Sequence, residues 1–431
     1  MLRRGALPPP LLRSPMALPP ARPPRPERRF VAELPGCELV DFACRRGGSA
    51  GGGGARPRGF PPGPGRCYSF CVPGEPVRAA RLHERLRREL SQAAFAALPL
   101  LSYRPGAAAA ARERGFLVRA APEGERALEE LLRRCLPAPA HLAVYQEGED
   151  GQLWRGLWRL AEAGGKELLS RARVVGAPPP ASHPAAAHLR DAAGFGSRPA
   201  ARRVLQECTT LIPEAKAVLD LVDKCPKLPK RGSFPVIVIE GLDATGKTTI
   251  TRSLKDLLNA ILLRSPPSCV SQWRKRFDDE PTLIRKAFYA LTNYIVASEI
   301  AEASTKSPVI IDRYWHSTAA YAIATEISGK VSDLPPVHHP VYCWPEDLLK
   351  PDLVILLTVS PEERIQRLQG RGIEKTREEE ELEANRFFRQ KVEESYRRME
   401  NPACQLVDAS LSREEVLKDV LHQIKKHFPS L

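Results

Sequence analysis

Long hydrophobic runs are missing from this 431-residue chain. The longest, such as 236–239 and 353–359, fall well short of the roughly 18 apolar residues that a membrane-crossing helix needs, so no bilayer span is expected. The ten cysteines include no CxxC pair. Cys67 and Cys71 lie closest together, with no second pair or histidine cluster to complete a zinc site, and the adjacent His338 and His339 point in different directions. Scattered thiols of this kind read as reduced cysteines in an intracellular compartment. Lysine is scarce at the front: Lys166 is the only one before Lys216. Acids are scarcer still at the start, where residues 1–30 hold seven arginines and one acid, Glu27.

What is present divides unevenly. The formal charge of +14 comes wholly from the first half: residues 1–230 carry net +15 and residues 231–431 net −1. A polyanion-binding groove needs its positive field around itself; the second half has none, so no nucleic-acid partner is expected. Residues 1–29 are expected to be a mitochondrial presequence, being Arg-rich and acid-poor, although nine prolines interrupt its helix. Residues 30–175 read as a small α+β domain of unassigned role. Its expected elements are strands at 30–34, 39–42, 68–72, 115–119 and 142–145, and helices at 77–98 and 123–135. Residues 176–232 read as a Pro/Ala-rich linker with one helix at 212–224. The rest, 233–431, has the strand-loop-helix rhythm of an α/β domain.

The chemistry announces itself in that last part. Pro235–Glu240 is a β-branched run without alternation, as expected for a strand buried on both faces of a parallel sheet. Directly after it stand Gly241, Leu242, Asp243, Ala244, Thr245, Gly246, Lys247 and Thr248, followed by an expected helix over 249–263. GxxxxGK[ST] between a strand and a helix is a P-loop. Its amides and the helix N-terminus cradle phosphate oxygens. Lys247 is placed to reach the β and γ phosphates of ATP, and Thr248 to put its hydroxyl on Mg²⁺. A second buried strand, 308–311, ends in Asp312 and Arg313. Ligands of open α/β sheets sit beyond the carboxyl ends of the strands, so this pair should face the P-loop, Asp312 toward the metal and Arg313 toward phosphate. The expected fold class is therefore α/β: a P-loop NTPase fold with a parallel sheet and flanking helices, preceded by the smaller α+β domain.

The segments EGLDATGKTT (240–249), VIIDRY (309–314), KPDLVILL (350–357) and LVDAS (406–410) resemble the thymidylate-kinase-like nucleoside monophosphate kinases over residues 233–431. The resemblance implies transfer of the γ-phosphoryl of ATP, with Mg²⁺, to a pyrimidine nucleoside monophosphate; dUMP, dCMP, UMP, CMP and dTMP are the candidate acceptors. It leaves a homodimer open. Asp243 matches a family carboxylate near the acceptor and metal. Arg313 matches the arginine that holds the acceptor phosphate and the transferring group. Tyr321 falls where the family puts an aromatic beside the sugar 2′ position, and Tyr289 and Asn293 where it puts a stacking aromatic and a base reader. Arg274 is the expected ligand of the acceptor phosphate, preferred over Arg276. Ala244 replaces an arginine found in some members, so the charge must come from the basic stretch Arg364, Arg367, Arg371, Lys375 and Arg377. Arg371, between two glycines, is the preferred lid donor.

A deoxynucleoside kinase shares the P-loop and acid-arginine pair but needs a carboxylate base where the sequence reads Trp273-Arg274-Lys275-Arg276. A GTPase lacks support, since no NKxD guanine reader is found. A binding protein acting through its first half is the third alternative.

Overall fold

The computed structural model describes residues 28–46, 55–61, 66–106, 112–161, 164–370 and 377–431. The first lobe contains β1 (Arg29–Leu34), β2 (Glu38–Arg46), β3 (Arg66–Cys71), α1 (Pro76–Gln92), β4 (Ala96–Tyr103), β5 (Glu113–Ala120), α2 (Gly124–Cys135), β6 (Ala140–Glu147), β7 (Leu153–Leu160) and β8 (Lys166–Gly176). The strands close into an antiparallel barrel in the order β1-β2-β8-β7-β6-β3-β5-β4. Alternation along each strand explains the closure. Cys67, Leu117, Ala143 and Tyr145 point inward onto Phe30, Phe42 and Phe60. Their chain neighbours Tyr68, Val118, Leu142 and Val144 point outward, onto Leu86 and Leu90 of α1 and Leu128 and Leu132 of α2.

The second lobe contains α3 (Leu189–Ala192), α4 (Arg198–Cys208), α5 (Pro213–Lys224), β9 (Val236–Gly241), α6 (Lys247–Leu257), β10 (Ile261–Arg264), α7 (Ser271–Asp278), α8 (Thr282–Ala303), β11 (Val309–Asp312) and α9 (Trp315–Glu326). It continues with β12 (Leu353–Thr358), α10 (Pro361–Gln369), α11 (Arg377–Ala384), α12 (Arg386–Arg397), β13 (Cys404–Asp408) and α13 (Arg413–His427). Its five strands form a parallel sheet in the order β10-β11-β9-β12-β13. Val236 and Val238 face the cluster around α8. Ile237 and Ile239 face Ile250 and Leu254 of α6 and Val420 and Ile424 of α13. Burial on both sides is why β9 shows no alternation. The β9–β11 register sets Asp312 beside Ile239, bringing the two strand ends, and the loops after them, to one edge of the sheet.

Several elements differ from expectation. The first helix stops at Gln92, because Ala94 at φ 57° turns the chain into β4. The P-loop helix ends at Leu257, and Asn259 at φ 47° leads into β10. Residues 268–278, which carry Arg274, are helical. The expected linker folds: α4 joins α5 in packing on α8, burying Ala201, Val204, Leu205 and Cys208. Strands β7 and β8 escaped notice because Leu153, Trp154, Leu157 and Trp158 mimic helical spacing. Among the described residues, no helix is long and apolar enough to cross a membrane.

Candidate active site

The P-loop is built by backbone geometry that only certain residues allow. Gly241 sits at φ 144°, and a Cβ there would lie 2.5 Å from the Leu357 carbonyl oxygen, so no side chain fits. Ala244 and Gly246 are also left-handed, at φ 67° and 88°. The Lys247 ammonium is buried and donates to the Leu242 carbonyl at 2.6 Å; Thr245 Oγ1 donates to the same oxygen at 2.9 Å. Burial, reinforced by the Arg313 charge, pulls Lys247 down to about 8 against the attraction of Asp243, Asp312 and Glu240.

At the end of β11 the chain turns sharply, with Arg313 at φ 67°. One Arg313 nitrogen donates to Asp243 Oδ1 at 2.5 Å and another to Ser317 Oγ at 3.1 Å. Burial alone would raise the Asp243 carboxyl, but the charges of Arg313 and Lys247 overcome it and hold it at about 2. Thr248 Oγ1 donates to Asp312 Oδ2 at 3.1 Å, setting two hard oxygens together at the helix start. Glu240, fully buried, organises the opposite bank. It accepts from the Tyr314 and Ser317 amides at 2.8 and 3.2 Å, and from the Ser317 hydroxyl at 2.5 Å. The sequence singled out no role for it, although an acid inside a β-branched strand was the available signal.

These groups open onto one cleft of about 300 Å³ whose walls come from α8, α9 and α11. Arg274, Tyr289 and Tyr321 all line it. Arg274 Nε donates to the Tyr289 hydroxyl at 3.1 Å, and that hydroxyl donates to Asp278 at 2.7 Å. Tyr321 lies edge-on to Phe388. Arg276 instead pairs with Glu280. Asn293 is not where the spacing suggested. It is fully buried behind the wall, accepting from Ser265 Oγ at 2.8 Å and donating to Thr318 Oγ1 at 3.1 Å, while Ser265 and Thr318 themselves line the cleft. A direct base-reading role for Asn293 does not fit this placement, because both ends of its amide are occupied. Arg285 and Lys286, both buried and unremarked in the sequence, add two basic groups to the wall, and Glu379 and Glu381 face in from α11.

Of the basic stretch, Arg364 is buried with its Nε on the Asp243 carbonyl at 3.1 Å, and its two terminal nitrogens find no hydrogen-bond partner among the described residues. Arg367 bonds Glu363 and the Ala409 carbonyl at 2.7 and 2.8 Å, which makes it a structural tie. Arg371 and Lys375 lie outside the described residues, as does the Arg377 side chain.

A family model described as thymidylate kinase matches residues 239–420. Human "UMP-CMP kinase 2, mitochondrial" is 56% identical over 419 residues, covering 94% of this chain and 93% of its own length. The chain belongs to the thymidylate kinase family of nucleoside monophosphate kinases. Another member, "Probable thymidylate kinase 1" of Saccharolobus solfataricus, is 29% identical over 201 residues, covering 44% of this chain and 97% of its own. A solved thymidylate kinase from Candida albicans is 20% identical with a TM-score of 0.35, the match covering 46% of this chain and 92% of that one. The match to the human kinase extends over the barrel, so the barrel is part of what this kinase shares with that relative. Within the kinase lobe the P-loop, Asp312 and Arg313 came directly from the sequence. Arg364 stood in the basic stretch singled out there; Arg285 and Lys286 were not singled out, since a charge on a helix reads as solvated until packing shows otherwise.

Proposed function

We propose that this kinase transfers the γ-phosphoryl of ATP to the phosphate of a pyrimidine nucleoside or deoxynucleoside monophosphate, giving the diphosphate. The observation that carries the reading is the convergence of Lys247, Thr248, Asp312, Arg313 and Asp243 on the mouth of a cleft that also carries Arg274, Arg285, Tyr289 and Tyr321. Arg274 and Arg313 suit an acceptor that arrives charged, which favours a monophosphate over a neutral nucleoside. Tyr289 offers the acceptor base a face to stack on, and Tyr321 flanks its sugar.

The acceptor phosphate is already anionic, so no general base is required and the chain's task is to position and neutralise. The loop amides and Lys247 hold the β and γ phosphates of ATP. Arg313, steered by Asp243 and Ser317, bridges acceptor phosphate and transferring group. Arg364 fixes the Asp243–Ala244 peptide, and Arg371 is the proposed lid arginine. The hydroxyl of Thr248 and the carboxylate of Asp312 fit Mg²⁺, which takes hard oxygens from one or two protein groups and completes its shell with water and phosphate. When bound, that ion neutralises charge on the β and γ phosphates. Mitochondrial localisation is proposed from the Arg-rich start together with the mitochondrial relative.

The test is a substrate panel with the purified full chain, Mg²⁺ and ATP: CMP, UMP, dCMP, dUMP and dTMP against the corresponding nucleosides. Diphosphate formation from the monophosphates supports the reading; phosphorylation of nucleosides alone replaces it with a deoxynucleoside kinase.

A further inference from the structure

Among the described residues the barrel holds no metal-ligating cluster, but its wall reaches the kinase cleft. Arg114, on β5, forms an ion pair with Glu326 at the end of α9. Glu326 lies 4.0 Å from the ammonium of Lys286 on α8, and Lys286 lines the cleft. Both Glu326 and Lys286 are largely buried, with side chains 12% and 7% exposed, so these two groups depend on their partners rather than on water, while Arg114 reaches Glu326 from a half-exposed position. Lys286 Nζ also donates to the Ala322 carbonyl at 3.2 Å. Burial pulls Lys286 down to about 7, so its nitrogen carries two or three N–H donors near neutral pH; Glu326 at 4.0 Å attracts it without a hydrogen bond, which leaves donor capacity for the cleft.

The position along α9 says what that donor meets. Ser317 holds Arg313 at the phosphate end; Glu326 is nine residues further, about 14 Å along the helix axis. With its phosphate at Arg313, an acceptor nucleotide extends its base toward Lys286. Uracil, cytosine and thymine all carry a ring carbonyl able to accept from an ammonium.

We propose that Lys286 binds the acceptor nucleotide at its base end and that Arg114 of the barrel is a positioning residue for it, acting through Glu326. The barrel is thereby a fixed part of the acceptor site. Arg112, two residues away on the chain, donates to the Pro184 and Ala185 carbonyls at 2.9 Å and adds a weaker attraction to Glu326, whereas Arg81 pairs with Glu280 at 2.8 Å, apart from this relay.

The proposal rests on the kinase reading, which wild-type turnover tests separately. In the full chain, Arg114→Met keeps the apolar stem and removes the charge. The expected result is a five- to tenfold rise in KM for CMP, with kcat and the KM for ATP within twofold of wild type. Arg114→Lys should recover most of the loss. Arg81→Met, which breaks the pair with Glu280 across the seam without touching Glu326, should lower the melting temperature and leave the KM for CMP within twofold. A KM for CMP unchanged in Arg114→Met overturns the relay, as does an equal rise in Arg81→Met or a parallel rise in the KM for ATP. Lack of wild-type turnover overturns the kinase reading itself.

Discussion

Replacing Arg313 by alanine perturbs the site at its most coupled point, and its effects on stability and catalysis separate. Arg313 is the leading counter-charge that brings Asp243 from an ordinary 3.8 to about 2. The Asp243 side chain is only 24% exposed, so the shift converts without heavy discount to about 2 kcal/mol of native-state stability at neutral pH. The sign follows from the direction. A carboxyl depressed in the folded state stabilises above its unfolded value, near pH 4, and loses that contribution as pH falls toward 2; by pH 3 roughly half remains. Urea or thermal unfolding should therefore show Arg313→Ala weaker than wild type by about 2 kcal/mol at pH 7, with the gap narrowing toward pH 3. Turnover should fall much further, by about 10³ or more, the magnitude typical of an arginine that neutralises a transferring phosphoryl. Near-normal turnover, or a stability gap as wide at pH 3 as at pH 7, would refute the assignment of Arg313 as both phosphate clamp and partner of Asp243.

Lys247 stands at about 8, so ATP affinity measured by calorimetry should weaken as pH rises through that value and the ammonium is lost, and Lys247→Met should bind weakly with a flattened profile. Arg364→Met removes the donor to the Asp243 carbonyl and should raise the KM for ATP about tenfold, in line with a hydrogen bond from a charged group worth about 1.5–3 kcal/mol; an unchanged KM in steady-state assays would make Arg364 a packing residue. Asn293→Ala leaves the Ser265 and Thr318 hydroxyls without their partner and should cost about 1–3 kcal/mol of stability, while the CMP-to-UMP preference holds. A reversal of that preference in competition assays would restore Asn293 as a base reader.

The parts of the site legible in the sequence are those whose chemistry is contiguous. Gly241 to Thr248 form one loop, and Asp312 and Arg313 end one strand, so spacing alone brings each set together. Pairing the two needed only the rule that ligands lie beyond the strand ends. Asn293 shows where periodicity stops helping. Four residues from Tyr289 it keeps the same helix side, but about 6 Å further along the axis, which carries it beneath Ser265 at the end of β10. Lys286 and Glu326 are 40 positions apart, and Arg114 lies in another lobe, so no local pattern connects them. The barrel was legible as alternating strands, but its closure depends on the pairing of β1 with β4, some 70 residues apart. The helix at 198–208 looked like a linker because alanine and proline carry little amphipathic signal, whereas in the fold it covers α8.

The central claim is phosphoryl transfer between two nucleotides in one cleft. Incubating the purified full chain with γ-labelled ATP, Mg²⁺ and CMP, and separating the products, tests it most directly. The label should appear in the β-phosphate of CDP for wild type and not for Lys247→Ala. Label found only in inorganic phosphate, or transferred to cytidine but never to CMP, would contradict it.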